Sequence, residues 1–434
     1  MIIRRALSLS CVSLAPLRVA VIGSGPAGLY ACSRLLQKVP ECVVDVFDRN
    51  QVPYGLVYYG VAPDHYDMKK CTNQFEKMFT ENSSRLSLFC NVNVGKDVKY
   101  KELCKSYDAI VLAYGANKAR SLNLKNERAI NCFSGSDFVS WYNGLPRYSA
   151  APLLDVEKAV VIGNGNVAID CSRILLSSPE KLAHTDVPEN AMKALRSSKI
   201  RNVRMFGRRG PIEASFTIKE LRELLNLEGC SNYLDRPKRR ILELMANSTS
   251  PKSANAARSC SIEFFHAPEE IHVDANGRVE FITMRNRLTN QVMLLPCGLL
   301  IYAVGFENIV LEGVPTTEDN RLRMEDWCHV HSQSDEAMVY ATGWCAHAAK
   351  GVIAESQTQA VAVIDKLADD LTAGKILKRE VSGAKKLLEE RSVPYISWFD
   401  WLYVDKCERR MGALLGKPRE KIYDATTLLR IRKL

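Results

Sequence analysis

Two glycine-rich segments constrain the fold of this chain more than any other feature. The first is Gly23-Ser24-Gly25-Pro26-Ala27-Gly28, which follows the apolar run 17–22, and the second is Gly163–Ala168, which follows the apolar run 159–162. Each has the spacing and the strand-turn-helix context that are typical of a dinucleotide-binding loop. The sequence therefore predicts an α/β protein with two Rossmann-like dinucleotide-binding domains.

The glycines of such a loop have separate roles. The first makes a tight turn, the second lets the backbone approach a pyrophosphate, and the third lets the helix pack on the strand. Asp48 lies twenty positions after Gly28, at the end of an apolar run, where a carboxylate accepts hydrogen bonds from ribose hydroxyls. We therefore expect Gly23, Gly25, Gly28 and Asp48 to bind a dinucleotide with an unphosphorylated ribose, FAD or NAD.

The second loop is followed by basic residues instead of an acid. The run 203–206 is followed by Gly207 and then by Arg208 and Arg209. Guanidinium groups at this position bind the 2′-phosphate of NADP. Each charge-assisted hydrogen bond to that phosphate contributes about 1.5–3 kcal/mol. The pair predicts a preference for NADPH over NADH, the alternative being two arginines on a solvated turn.

Length and composition are those of a globular protein of two to three domains. The chain has 434 residues, 47% of them hydrophobic and 25% charged. Apolar stretches such as 297–306 are shorter than the roughly 18 residues of a membrane helix, so no transmembrane segment is expected. Strands and helices alternate from Leu17 onward, which predicts parallel sheets. We expect one nucleotide domain over 18–116 and 309–434, with the other, 117–308, inserted in it.

The N-terminal segment has a different composition from the rest. Residues 1–17 are rich in Ser, Leu and Ala and contain Arg4 and Arg5 but no acidic residue. This pattern predicts a mitochondrial transit peptide. The alternatives are a secretory signal, against which the fourteen cysteines argue, and an uncleaved extension of a cytosolic protein.

Cysteine spacing and net charge narrow the chemistry further. The sequence has no C-x-x-C and no Cys/His cluster at metal spacing, so neither a metal site nor the dithiol of a disulfide reductase is expected.

The net charge is +10, with basic clusters at 196–209 and 236–240. These clusters predict an acidic protein partner. Nucleic acid is the alternative, but no nucleic-acid-binding signature is present.

Six longer segments resemble the mitochondrial NADPH:adrenodoxin (ferredoxin) reductase family. They are residues 52–65, 141–146, 165–170, 207–211, 216–223 and 416–421. The resemblance implies that FAD is held by the Gly23 loop with Ala27, Asp48, Leu56, Val94, Trp344, Gly351, Val352 and Ile353. It implies that NADP(H) is held by Asn164, Gly165, Asn166, Val167, Arg208, Arg209 and Glu220.

The resemblance also implies an activity. Electrons would pass from NADPH through FAD to an acidic [2Fe-2S] ferredoxin of the adrenodoxin type, feeding a mitochondrial P450 or iron–sulfur and haem biosynthesis in the matrix. His65 and Asp170 would lie at the flavin edge and order water and nicotinamide or handle a proton; otherwise they are structural. Arg222, Arg236 and Arg240 would dock the ferredoxin. Peripheral attachment to the inner membrane is a further option.

The chain departs from the family pattern at several places, two of which concern named residues. Tyr58 stands where the family has arginine, and Cys345–Lys350 replaces the usual Lys-Arg-Gly-Pro-Thr. One alternative is therefore a degenerate flavin- and NADP-binding protein without efficient electron transfer. Another is an electron-input subunit like that of glutamate synthase, which usually adds cysteine-rich iron–sulfur ligands that this sequence lacks.

Overall fold

The chain forms two compact units. The computed structural model describes residues 15–116, 118–146, 151–234, 257–331, 336–347 and 353–431. The first unit comprises Met1–Gly55, Thr72–Gly115 and Ile309–Trp401, and the second comprises Leu56–Cys71, Ala116–Asn308 and Leu402–Leu434. The units change at 115/116 and 308/309, close to the predicted domain boundaries. The segments 56–71 and 402–434, which we expected in the first domain, cluster with the second unit.

A parallel sheet of five strands forms the centre of the first unit. Val19 pairs with Val44 on one side and with Ala109 on the other. The strands are largely buried because helices cover a parallel sheet on both faces, which favours continuous apolar runs. In spatial order the strands are Met338–Ala341, Ala109–Leu112, Arg18–Ile22, Val43–Asp48 and Leu86–Cys90.

The helix after the first glycine loop begins at Pro26 and is joined to a second helix by an ion pair. Pro26 occupies its first turn, where a missing N–H costs nothing, and Arg34 makes a bidentate ion pair with Asp365 at 2.8 and 2.9 Å. This helix, Pro26–Lys38, packs along Ile353–Thr372. The other described helices that begin in this unit, or one residue before it, are Cys71–Glu81, Tyr100–Ser106, Lys385–Glu390 and Trp398–Leu414, with a 3-10 turn at Gly343–Cys345.

The second unit is built on a parallel sheet of six strands. Their spatial order is Cys132–Ser134, Leu299–Tyr302, Lys158–Ile162, Asn202–Phe206, Arg258–Glu263 and Cys230–Leu234. Two antiparallel sheets accompany it: His266–Val273, Val279–Asn286 and Val292–Pro296, and the pair Lys118–Ala119 and Phe306–Glu307. The described helices that begin in this unit are Leu56–Tyr59, Tyr66–Lys69, Gly135–Tyr142, Asn166–Leu176, Pro179–Ala183, Glu189–Arg196, Ile218–Leu225 and Ala425–Ile431, with a 3-10 turn at Pro211–Glu213.

A buried polar cluster explains why the segments 56–71 and 402–434 pack with the second unit. Lys421 Nζ donates to the Tyr58 carbonyl at 3.0 Å and to Asn143 Oδ1 at 3.2 Å, and lies 3.3 Å from Asp186 Oδ2. Lys69 Nζ donates to both oxygens of Asp186, at 2.8 and 2.7 Å. Burial lowers the pKa of Lys421 to about 7, although Asp186 opposes the shift. Removing Asp186 would leave two buried lysines without their carboxylate partner.

Two further observations concern the whole described chain. Across the described ranges, no helix is long and apolar enough to span a bilayer. Each of the thirteen cysteines in these ranges is a free thiol.

The prediction of two Rossmann-like α/β domains, one inserted in the other, is confirmed by the two parallel sheets and their chain order.

Candidate cofactor and electron-transfer site

The first glycine loop leaves open space where a pyrophosphate would lie. Gly23 has a φ of +112°, and a Cβ on it would lie 2.4 Å from the Ala113 carbonyl oxygen. A Cβ on Gly28 would lie 1.9 Å from the Gly23 carbonyl oxygen, whereas a Cβ on Gly25 would meet no atom within 4 Å. The fold itself therefore requires Gly23 and Gly28. The space at Gly25 fits a dinucleotide phosphate.

Asp48 is brought directly to this loop. Its Oδ2 accepts from the Ser24 N–H at 2.9 Å and from Ser24 Oγ at 2.6 Å, and its Oδ1 accepts from the Asn50 N–H at 2.8 Å. A carboxylate oxygen has two lone pairs, so Oδ1 keeps acceptor capacity for a ribose hydroxyl. The position and chemistry of Asp48 fit the ribose of FAD.

The turn that carries Trp344 also lies at the first loop. A Cβ on Gly343 would lie 2.7 Å from the Ala27 Cβ, so the turn contacts the start of the helix Pro26–Lys38. Beside it, Thr342 Oγ1 is buried and, among the described residues, has no hydrogen-bond partner. Such unmet hydrogen-bonding capacity is typical of a ligand site.

The remaining predicted FAD residues have different placements. Val94 is buried in the core of the first unit, and Ile353 begins the helix Ile353–Thr372. Leu56 belongs to the second unit. Gly351 and Val352 lie outside the described residues.

The second glycine loop is fixed to the segment that precedes the helix Ile218–Leu225. Gly163 has a φ of +137°, and a Cβ on it would lie 2.3 Å from the Ala303 carbonyl oxygen. Asn166 Oδ1 accepts from the Thr217 N–H at 2.8 Å, and the Asn164 carbonyl accepts from the Ser215 N–H at 2.8 Å. Gly165 is the N-cap of the helix Asn166–Leu176, and Val167 lies in its first turn.

Buried polar atoms at the second loop lack partners. In the part of the chain that the structure describes, Asn164 Oδ1 and Glu220 Oε2 are both buried without a hydrogen bond. A Cβ on Gly207 would lie 1.7 Å from Asn164 Nδ2. Only a glycine at position 207 therefore leaves room for the Asn164 side chain. Arg208 and Arg209 are exposed at the end of the strand Asn202–Phe206. These features fit NADP(H), with polar groups buried inside and guanidiniums outside.

His65 and Asp170 meet around a buried arginine in the second unit. Arg173 Nη2 lies 2.9 Å from His65 Nε2 and 3.1 Å from Asp170 Oδ1, while Nη1 donates to Asp64 Oδ2 at 2.6 Å. Glu223 completes the cluster, with Oε2 2.5 Å from His65 Nε2 and 3.5 Å from Arg173 Nη2. One guanidinium thus contacts three carboxylates and an imidazole.

The electrostatics of the cluster separate its carboxylates. Burial raises the pKa of Asp170 to about 6, and the charges of Arg173 and His65 offset only part of that effect. Burial also opposes ionisation of Asp64, but its hydrogen bond and ion pair with Arg173 outweigh burial and lower its pKa. The cluster therefore holds one carboxyl group that titrates near neutrality beside one that stays ionised.

One ring nitrogen of His65 lies within hydrogen-bonding distance of two side chains. A single ring nitrogen either carries a hydrogen or accepts one, so Nε2 donates to Glu223 or accepts from Arg173, but not both. Both neighbours are in reach, at 2.5 and 2.9 Å. His65 Nε2 therefore has two alternative hydrogen-bond partners within this cluster.

Sequence reasoning missed three members of this cluster, namely Asp64, Arg173 and Glu223. Arg173 lies three positions after Asp170 on the same helix, a spacing that places both on one face. Glu223 lies at the end of the segment 216–223, within the helix Ile218–Leu225. Arg222 is exposed on that helix, and Arg236 and Arg240 lie outside the described residues.

The atypical Tyr58 is surrounded by charge. Its hydroxyl donates to the buried Glu408, and the Arg419 guanidinium carbon lies 5.2 Å from the centre of its ring. Arg419 Nη1 also donates to Glu408 Oε2 at 2.7 Å. A guanidinium from the C-terminal segment thus lies against Tyr58, the position at which the resemblance leads us to expect an arginine.

Comparison with known proteins shows similarity to pyridine-nucleotide-dependent oxidoreductases. A family model described as pyridine nucleotide-disulphide oxidoreductase matches residues 17–363. Mitochondrial NADPH:adrenodoxin oxidoreductase of Bos taurus is 35% identical over 463 residues, covering 95% of this chain and 92% of that protein. The Arabidopsis thaliana protein of the same name is 31% identical, covering 97% and 96%. FprA of Mycobacterium tuberculosis in complex with NADPH is 30% identical with a TM-score of 0.89, covering 96% and 100%.

These similarities extend over nearly the whole chain and include both glycine loops. Together with the fit of the two loops, they support the predicted cofactors FAD and NADP(H). The chain belongs to the pyridine nucleotide-disulphide oxidoreductase family and, within it, to the NADPH:adrenodoxin oxidoreductases.

Proposed function

We propose that this chain is an NADPH-dependent reductase that passes electrons through FAD to an acidic [2Fe-2S] ferredoxin of the adrenodoxin type. The observation that carries the proposal is the contrast between its two glycine loops. The first has Asp48 hydrogen-bonded to Ser24, and the second has the exposed Arg208 and Arg209. One loop suits the ribose of FAD and the other suits the 2′-phosphate of NADPH. The proposed acceptor is inferred from the names of the relatives, which are NADPH:adrenodoxin oxidoreductases.

Bound FAD supplies the conversion of a two-electron hydride donor into one-electron steps that an iron–sulfur protein accepts. The residues of the chain provide binding and proton control. Asn164 and Glu220 offer buried polar atoms to NADPH, and Arg173 holds His65 in hydrogen-bonding reach of Glu223. We assign His65 and Asp170 the handling of the proton that accompanies electron transfer.

Docking of the ferredoxin is assigned to Arg222, Arg236 and Arg240. Arg222 is exposed, and charge complementarity with an acidic partner would speed encounter and orient the complex. The relatives are named as mitochondrial, and the basic, Ser-rich segment 1–17 suits a transit peptide. We place the enzyme in the mitochondrial matrix, supplying electrons to a P450 or to iron–sulfur and haem biosynthesis.

An anaerobic titration of the purified full chain tests this proposal. NADPH should bleach the flavin absorption rapidly, NADH should do so poorly, and added adrenodoxin-type ferredoxin should then be reduced with a strong dependence on salt. A flavin that stays oxidised with NADPH would identify a degenerate binding protein. A flavin that is reduced but does not reduce the ferredoxin would reject the acceptor while keeping the two cofactor assignments.

A further inference from the structure

A small cluster of metal-ligating side chains lies in the first unit, apart from the residues assigned to FAD. Asp326 Oδ2 lies 2.7 Å from His329 Nδ1, and Cys328 Sγ lies 3.8 Å from the same nitrogen. One ligand atom from each of the three residues lies within 4.8 Å of the other two. Cys328 is buried and Asp326 is exposed, so the thiol lies beneath a carboxylate that faces solvent.

Backbone contacts hold the three side chains in this arrangement. Asp326 Oδ1 accepts from the N–H groups of Cys328 and His329, both at 2.8 Å, which closes a tight turn. The Cys328 carbonyl accepts from the Ala341 N–H at 2.8 Å, and His329 forms an antiparallel bridge with Tyr340. The turn is thereby fixed to the sheet strand Met338–Ala341, so the donor set is preorganised.

The second nitrogen of His329 contacts another acid. Nε2 lies 2.8 Å from Oδ2 of the buried Asp370, which also accepts from Tyr340 at 3.0 Å and from Lys366 at 2.5 Å. Both ring nitrogens therefore face carboxylates, which only accept when ionised. A neutral imidazole has one N–H and satisfies one of these contacts. The other contact requires a second proton or a metal cation.

A histidine that binds a metal through one ring nitrogen usually donates the hydrogen of its other ring nitrogen to a carboxylate. With a cation bound, Asp370 would accept from Nε2–H, and the Nδ1 lone pair would be available to the cation beside Asp326 and Cys328. A donor set of one sulfur, one nitrogen and one oxygen suits zinc and cobalt, whereas calcium and magnesium prefer oxygen ligands. Three protein ligands leave one position for water.

We propose that Asp326, Cys328 and His329 form a binding site for a zinc-class divalent cation. Binding replaces the thiol proton of Cys328, which leaves to solvent, with a metal–sulfur bond, and places the cation between Asp326 and His329. The cation would secure the turn to the strand Met338–Ala341. That strand leads into Gly343, whose backbone lies against Ala27 at the first glycine loop, so we expect occupancy to stabilise the first unit.

Cobalt binding to the full-length, FAD-loaded chain tests the site. Co²⁺ alone should bind with a stoichiometry of one and give ligand-field bands of a tetrahedral thiolate complex, which lie at longer wavelength than the flavin absorption. Zn²⁺ should displace it and raise the thermal midpoint. Cys328→Ser should abolish the thiolate signature, whereas Cys104→Ser, which alters another buried thiol of the same unit, should leave it unchanged.

Asp326→Asn keeps the test decisive if Cys328→Ser fails to fold. The amide oxygen retains the two turn hydrogen bonds, but the NH₂ group cannot ligate, so Co²⁺ affinity should fall at least about tenfold with the fold intact. Binding that is equal in wild type and Asp326→Asn, or that lacks a thiolate signature, would identify adventitious metal and overturn the proposal. Neither result would bear on the reduction of FAD by NADPH.

Discussion

Asp170 Oδ1 and Arg173 Nη2 lie 3.1 Å apart on one face of the helix Asn166–Leu176, and both side chains are largely buried. The ion pair does not fully compensate Asp170 for the loss of water, because Arg173 is shared with Asp64 and Glu223. The carboxyl group therefore has a pKa of about 6 instead of the ordinary 3.8.

This pKa predicts how Asp170 contributes to stability at different pH. Well below pH 3.8 the group is protonated in both the folded and the unfolded chain. As the pH rises to 7, the unfolded chain ionises first, and the folded state loses stability. A rise from 3.8 to about 6 corresponds to about 3 kcal/mol. The unfolding free energy of wild type minus that of Asp170→Asn should therefore fall by most of this amount between pH 4 and pH 7, measured by urea unfolding.

Asp155→Asn provides the matched control for this experiment. Asp155 is exposed, and its hydrogen bond to Arg278 lowers its pKa, so its contribution should change in the opposite direction and only slightly. If the Asp170→Asn difference is the same at pH 4 and pH 7, Asp170 is ionised in the fold and does not suit a proton-handling role.

The two arginines after the second loop should determine the nucleotide preference. Arg208→Ala with Arg209→Ala should raise the KM for NADPH by at least about 100-fold, because two charge-assisted hydrogen bonds of about 1.5–3 kcal/mol are lost. The KM for NADH, which lacks the 2′-phosphate, should change little. Arg201→Ala serves as the control, because this exposed arginine of the same unit bonds through its side chain, among the described residues, to the backbone carbonyls of Ser198 and Ile200. Equal losses for the two nucleotides would reject the assignment.

Two glycines of the first loop should respond differently to alanine. At Gly25 a methyl group enters open space in the protein, so Gly25→Ala should leave folding intact and weaken FAD binding. At Gly28 the methyl group would lie 1.9 Å from the Gly23 carbonyl oxygen, so Gly28→Ala should destabilise the unit itself. Thermal melting of the apoprotein and FAD titration separate the two effects. Full FAD affinity in Gly25→Ala would place the pyrophosphate elsewhere.

The basic cluster at 236–240 should control the reaction with the ferredoxin. Arg236→Glu with Arg240→Glu should lower kcat/KM for an adrenodoxin-type ferredoxin about tenfold or more at low salt, with a smaller effect at high salt. Reduction of ferricyanide, a small acceptor that needs no docking surface, should be unchanged. Lys386→Glu, a charge reversal at an exposed lysine of the other unit, is the control. A parallel loss with both acceptors would indicate damage to the flavin site.

Part of this site follows from local sequence. Gly23, Gly28 and Gly163 are fixed by turn geometry that extends over a few residues, and the run that ends at Asp48 places an acid beside the loop of the adjacent strand. Arg208 and Arg209 follow the equivalent strand of the second unit. Such features depend on short spacings and on the periods of two residues in strands and 3.6 residues in helices. The sequence by itself therefore determined the two nucleotide-binding folds.

Only the tertiary structure decided which distant side chains meet. His65 and Glu223 are 158 positions apart, and Arg173 reaches both because three segments of the second unit converge. Lys421 likewise joins Asp186 and Tyr58, which draws 402–434 into the second unit, against the predicted boundary. The acid that orients His329 is Asp370, on a separate helix. Long-range contacts between charged groups depend on the path of the chain, and neither hydrophobic periodicity nor motif spacing records that path.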